Sequence, residues 1–120
     1  MTRINFFRRS GVFYGFEEVG HSGFDDAGYD ILCAAISSMT MLVINTIEVA
    51  LETDVQYVVD EIRTKISVTS LEALPEYSDD EKRRFAVAKV FEGYYLQLKD
   101  MQEEYYDNLS VEVRDDEDVV

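Results

Sequence analysis

Residues Ile31 to Ile47 read ILCAAISSMTMLVINTI, seventeen positions without a charged side chain. A run this apolar is a membrane span or a buried helix, and the choice decides the fold. Seventeen residues fall short of the roughly 20 that a bilayer core requires, and Ser37, Ser38, Thr40, Asn45 and Thr46 interrupt the run. Leu32, Ala35, Ile36, Met39, Val43, Ile47 and Ala50 recur at helical spacing. The stretch therefore predicts a buried helix, with a subunit interface for the apolar surface left over, and no membrane span.

Working outward, Ile4 to Phe7 reads as a strand and Arg8 to Gly11 as a turn. Val12, Tyr14 and Phe16 alternate with Phe13, Gly15 and Glu17, so a second strand completes a hairpin. Beyond the apolar run, Val55, Tyr57 and Val59 share one face of a third strand over residues 54–60. Ile62, Thr64, Ile66 and Val68 alternate as a fourth. Ser78 with Glu81 has capping-box spacing. The helix behind it places Val87, Phe91, Tyr94, Leu98, Met101 and Tyr105 on one stripe, and Leu109, Val111 and Val113 form a last strand. The order β-β-α-β-β-α-β predicts an α+β fold, two long helices packed on a mostly antiparallel sheet. A single domain is expected over residues 1–114, followed by a frayed acidic tail over residues 115–120.

The chain has 120 residues, enough for one core, and a formal net charge of -14. That field repels phosphate backbones and anionic membranes, so nucleic acid and membrane are not expected partners, and it attracts basic proteins. One cysteine makes no internal disulfide, and residues 1–9 lack the apolar core of a secretory signal. A cytoplasmic protein with a reduced thiol is expected.

The only histidine and the only cysteine stand in residues 20–33, GHSGFDDAGYDILC. Asp30 reads as the N-cap of the apolar helix, which places Cys33 in the first turn. There the unpaired amides and the helix dipole favour a thiolate. Lowering a thiol from about 8.5 by two units takes roughly 2.7 kcal/mol. A helix terminus supplies up to about 1–2 kcal/mol, and His21 is the one imidazole available for the rest. Gly20, Gly23 and Gly28 open conformations closed to other residues and read as loop hinges. Ser37, one turn beyond Cys33 on the same face, either meets a substrate or the sulfur or bonds back into its own helix. Cys33, His21, Asp25, Asp26 and Asp30 are ligand types without a repeated ligand spacing, so no metal or other cofactor is expected. The residues alone leave a nucleophile–base pair and two unrelated side chains both open.

Gly20-His21-Ser22-Gly23, then Gly28, then Asp30-Ile31-Leu32-Cys33-Ala34-Ala35-Ile36-Ser37 closely resembles the signature of the ribosomal-processing cysteine protease family, Prp. The resemblance implies a cytoplasmic, homodimeric endopeptidase without a metal. Such an enzyme removes a short N-terminal extension from large-subunit ribosomal protein 27, cutting after an aromatic residue. It further implies Cys33 as nucleophile, His21 as general base and acid, and Asp30 and Ser37 as orienting or substrate-binding residues. Ser22 replaces the alanine of many relatives. The alternative on the same fold is a non-catalytic factor that binds a ribosomal protein.

Overall fold

The computed structural model describes residues 1–20 and 27–116, with backbone only for residues 27–30. Strand β1 (Thr2–Arg9) and β2 (Val12–Val19) form the first hairpin, and helix α1 spans Ala27–Asn45. A π-helical turn at Thr46–Ala50 ends that helix; β3 (Gln56–Asp60) and β4 (Lys65–Thr69) form a second hairpin. A 3-10 turn at Leu71–Ala73 leads to α2 (Glu81–Glu104) and finally β5 (Leu109–Asp115). The α+β fold and element order expected from the sequence are the ones observed.

The five strands lie in the order β3-β4-β2-β1-β5, which makes β2 the middle strand. Three of the four pairings are antiparallel, and β5 runs parallel to β1. A parallel partner cannot be reached by a tight turn. Helix α2 supplies the crossover, carrying the chain from β4 over β2 and β1 to the far edge. The β1–β2 turn is Ser10-Gly11 alone, with φ of 51° and 80°. Positive φ at both central residues matches the twist of the flanking strands.

Both helices cover one face of the sheet. The ring of Phe16 lies 5.4 Å from Phe6, 6.0 Å from Phe91 and 5.0 Å from Tyr94. Burying one such ring contributes about 1.5–3 kcal/mol. From α1, Leu32, Ile36, Val43 and Ile44 are buried in the same cluster, joined by Ile47 from the π turn; from α2 come Val87, Phe91, Tyr94 and Leu98. Met101 and Tyr105 complete the predicted α2 stripe in partly buried positions. Over residues 31–50 the chain is long and apolar enough by length and composition to cross a membrane. One side of it is committed to this core, while Ile31, Leu42 and Val49 stay 64%, 65% and 66% exposed.

Several sequence expectations are corrected. The β1–β2 register steps from Phe7↔Gly15 to Arg8↔Phe13, leaving Tyr14 without a partner on β1. This bulge turns Phe13 into the core and Tyr14 to the opposite face, where its ring meets Phe7 at 6.0 Å. Ile62 belongs to no strand: it is 95% exposed at the tip of the β3–β4 turn, where the Arg63 amide donates to Asp60 Oδ1. Helix α2 is capped by Asp80, whose carboxylate accepts from the Arg83 amide at 3.1 Å, and not by Ser78. The acidic end does not fray at residue 115. Asp115 belongs to β5 and accepts two bonds from the Arg8 guanidinium, at 2.7 and 2.9 Å. Asp116 accepts from Tyr14 Oη at 2.6 Å and Arg9 at 3.3 Å. Residues 117–120 of the expected tail lie outside the described residues.

Gly15 on β2 stands opposite Thr69 on β4. A Cβ there would sit 2.5 Å from Thr69 Cγ2 and 2.7 Å from the Val68 carbonyl oxygen. Gly15→Ala is expected to lower unfolding stability by about 1–3 kcal/mol, measured by urea titration. Wild-type stability in that variant would contradict the close approach.

Candidate active site

Helix α1 decides where the thiol sits. Because it begins at Ala27, Asp30 is its fourth residue and Cys33 its seventh. This overturns the expectation that Asp30 is the N-cap and Cys33 a first-turn residue. The amides left without helical partners belong to the first four residues, whereas the Cys33 N–H points to the carbonyl of residue 29. Cys33 is therefore one turn deeper than the place where the dipole acts most strongly on a thiolate. The amides beside it are committed to the helix.

Cys33 is half-buried and packs against the hydrophobic core. Ser37 is exposed one turn further on, so the two share a face at the boundary between core and solvent. Gly28 lies inside the first turn of α1, which corrects its reading as a loop hinge. His21, Gly23, Asp25 and Asp26 lie outside the described residues. Among the described residues no group of three His, Cys, Asp or Glu side chains is placed to hold a metal ion.

The approach to His21 is described as far as Gly20. Its φ is +81°, and a Cβ there would lie 2.5 Å from the carbonyl oxygen of Met1. Its amide donates to the Thr64 carbonyl at 3.2 Å. The chain thus leaves β2 through a gap between the N-terminus and the β3–β4 turn, and only glycine passes it without strain. Of the two proposed hinge glycines among the described residues, Gly20 alone has a positive φ.

Two residues before Gly20, a carboxyl group is buried under the sheet. Glu18 is 1% exposed on the helix-facing side of β2. Thr40 Oγ1 on α1 donates to Glu18 Oε2 at 2.7 Å, and Tyr94 Oη on α2 donates to the same oxygen at 2.9 Å. Burial pushes the Glu18 carboxyl above its ordinary 4.5, against the two bonds, which pull it down. The Tyr94 hydroxyl is pushed up as well, first by burial and then by the neighbouring carboxyl. Sequence reasoning missed this cluster. Its signal was an acidic residue two positions after Phe16, in the core-facing phase of the strand.

Glu17, one residue earlier, faces the opposite side of the sheet. Its carboxylate pairs with Lys65 at 3.2 Å and Arg114 at 3.1 Å, and accepts a bond from Asn5 at 3.3 Å. On the same side, burial and then the bond to Asp116 push the Tyr14 hydroxyl up to about 12. Burial pushes Asp116 up, but its bonds from Tyr14 and Arg9 outweigh that and leave it below its ordinary value.

The described part of the site is thus a half-buried thiol on the first long helix, behind a hairpin that ends at Gly20. Residues 1–110 match the family model described as cysteine protease Prp, and the chain belongs to that family. Among solved structures it is similar to SMU.848 from Streptococcus mutans, at 27% identity over 96% of this chain and 98% of that one, with a TM-score of 0.78. It shares its fold with the essential ribosomal processing protease Prp from S. aureus in complex with a substrate peptide, at 16% identity over 95% and 100% of the two chains, with a TM-score of 0.74. The S. aureus protein with a covalently linked product peptide gives 16% identity over the same shares, with a TM-score of 0.72. No curated protein matches the chain significantly.

Gly20→Ala combines a positive-φ penalty with a backbone clash, so it is expected to cost about 1–3 kcal/mol in urea unfolding. An unchanged midpoint would mean that the chain leaves β2 by another path.

Proposed function

We propose that this protein is a cytoplasmic processing endopeptidase that removes the N-terminal extension of large-subunit ribosomal protein 27, with Cys33 as nucleophile and His21 as general base and acid. The observation that carries this reading is the family match over residues 1–110, which spans both residues of the pair. The half-open setting of Cys33 on α1 supports it, since the sulfur is neither sealed in the core nor loose on a loop. The peptide complexes of the S. aureus fold neighbour also support a peptide substrate.

In this mechanism the Cys33 thiolate attacks the scissile carbonyl carbon and forms a carbon–sulfur bond. The carbon–nitrogen bond breaks as the His21 imidazolium gives its proton to the departing amine. Water, giving a proton to neutral His21, then attacks the thioester carbonyl, and the Cys33 thiolate leaves. Asp30 and Ser37 would orient the imidazole or the substrate from the same helix. Because Cys33 stands in the second turn, more of its activation falls to His21 than a first-turn position would require. The net charge of -14 draws a basic ribosomal protein toward the site.

A homodimer is part of the same proposal. Ile31, Leu42 and Val49 form an exposed apolar stripe on the outer side of α1 and its π turn, a natural seat for a second copy. Double substitution Leu42→Glu with Val49→Glu is expected to give a folded monomer by sedimentation equilibrium. A wild-type protein that sediments as a monomer at micromolar concentration would contradict the dimer.

The catalytic test uses a synthetic peptide carrying the extension and its cleavage site. Cys33→Ala should abolish cleavage, and His21→Ala should lower kcat/KM by about 10²–10⁴-fold, with the fold retained by circular dichroism. Full activity in either variant would overturn the assignment.

A further inference from the structure

Glu18, Thr40 and Tyr94 form a closed triangle of oxygens. The Glu18 Oε2 to Thr40 Oγ1 distance is 2.7 Å, Thr40 Oγ1 to Tyr94 Oη is 3.0 Å, and Tyr94 Oη to Glu18 Oε2 is 2.9 Å. Each edge is hydrogen-bond length, and each edge needs one proton. Thr40 and Tyr94 bring one proton apiece. With Glu18 ionised, two donors serve three edges, and the Thr40–Tyr94 edge sets two oxygens side by side with no proton between them. With Glu18 protonated, three donors serve three edges: the carboxyl O–H reverses one of the two edges on which the carboxylate accepts, the hydroxyl it meets donates to the other hydroxyl, and each oxygen then donates once and accepts once.

The surroundings agree with the protonated form. Ile4 on β1 and Ile66 on β4 stand opposite Glu18 in the sheet. Among the described residues α1 presents Thr40 and α2 presents Tyr94, the latter being the titratable group that faces the carboxyl. The charged neighbours Glu17 and Lys65 pair on the other side of the sheet. His21, three positions along the chain, lies outside the described residues.

We propose that Glu18 works as a neutral acid that closes this ring, and that the ring is a positioning unit for the thiol, holding α1 at a fixed height against the strand that delivers residue 21. The connections are short. Thr40 is seven residues, about two helical turns, beyond Cys33 on α1. Glu18 is separated from His21 only by Val19 and the Gly20 elbow. The ring thus fastens the helix that carries the sulfur to the strand that leads to the imidazole, with α2 as the third anchor. Glu18 acts through these elements and touches no substrate.

The test follows alkylation of Cys33, the single cysteine of the chain, by iodoacetamide from pH 5 to 10, together with urea unfolding over the same range. It does not depend on which substrate the enzyme cleaves, so its failure is separable from failure of the proposed function. Glu18→Gln keeps a neutral donor and acceptor and should leave the alkylation profile unchanged. Burial raises the folded carboxyl above its unfolded 4.5. The native state therefore holds the proton more tightly, and wild-type stability falls as pH rises from that value to the folded pKa. Glu18→Gln should remove that fall, its stability gaining on wild type across the same window.

Thr40→Val, which keeps the shape and removes the ring oxygen, should slow alkylation at pH 5, well below the thiol pKa, by about threefold, half a pKa unit in the thiol. Thr40→Ser should restore it. Wild-type alkylation in Thr40→Val would overturn the positioning role. A Glu18→Gln protein whose stability keeps the wild-type pH dependence, or whose alkylation falls like that of Thr40→Val, would overturn the neutral acid.

Discussion

The middle strand of the sheet has to satisfy both helices at once, and the rest of the structure is arranged around that requirement. Phe16 on β2 meets Phe6 within the sheet and Phe91 and Tyr94 on α2. Two residues on, Glu18 meets Thr40 on α1 and Tyr94 again. Tyr94 thus belongs to both contacts, packing with its ring and bonding with its hydroxyl. Because β2 runs directly into Gly20 and α1 carries Cys33, the layer that stabilises the fold also joins the two elements on which the proposed mechanism depends. A carboxyl in that layer is costly unless it is bonded or neutral, and the ring with Thr40 and Tyr94 provides for both.

The position of Cys33 within α1 changes the electrostatic account of its reactivity. A first-turn thiol draws on unpaired amides, whereas a second-turn thiol stands beyond most of that field. The requirement of roughly 2.7 kcal/mol for a two-unit shift is unchanged, so a neighbouring cation has to supply more of it. This makes the meeting of His21 and Cys33 the decisive feature of the proposed mechanism. It also gives a reason for two rigid devices close to His21 in the chain, the glycine elbow and the buried ring.

Long-range periodicity was legible in the sequence, and local phase was not. The uncharged run of residues 31–47 and the stripe from Val87 to Tyr105 identified both helices, because burial along one face repeats over many turns. The β1–β2 alternation was assigned to the wrong face in its first half, because a single unpaired residue at Tyr14 inverts the phase and leaves no mark in composition. Ile62 matched the period of β4 by coincidence, while Asp60 made the turn. At the start of α1 the strength of Asp as a cap drew the boundary four residues too late. Glycine was no safer a guide, since Gly28 is helical and Gly20 alone among the described hinge candidates has a positive φ. The family signature favoured one reading where physical reasoning had left two open, but it pointed to no role for Glu18.

The dyad is tested most directly on the only imidazole in the chain, whose ring protons give a single set of NMR resonances. In the wild-type protein His21 should titrate above the ordinary imidazole value of about 6.5, because a neighbouring thiolate stabilises the imidazolium. In Cys33→Ala it should return to about that value. An ordinary titration in both proteins would contradict the pairing of His21 with Cys33 on which the mechanism rests.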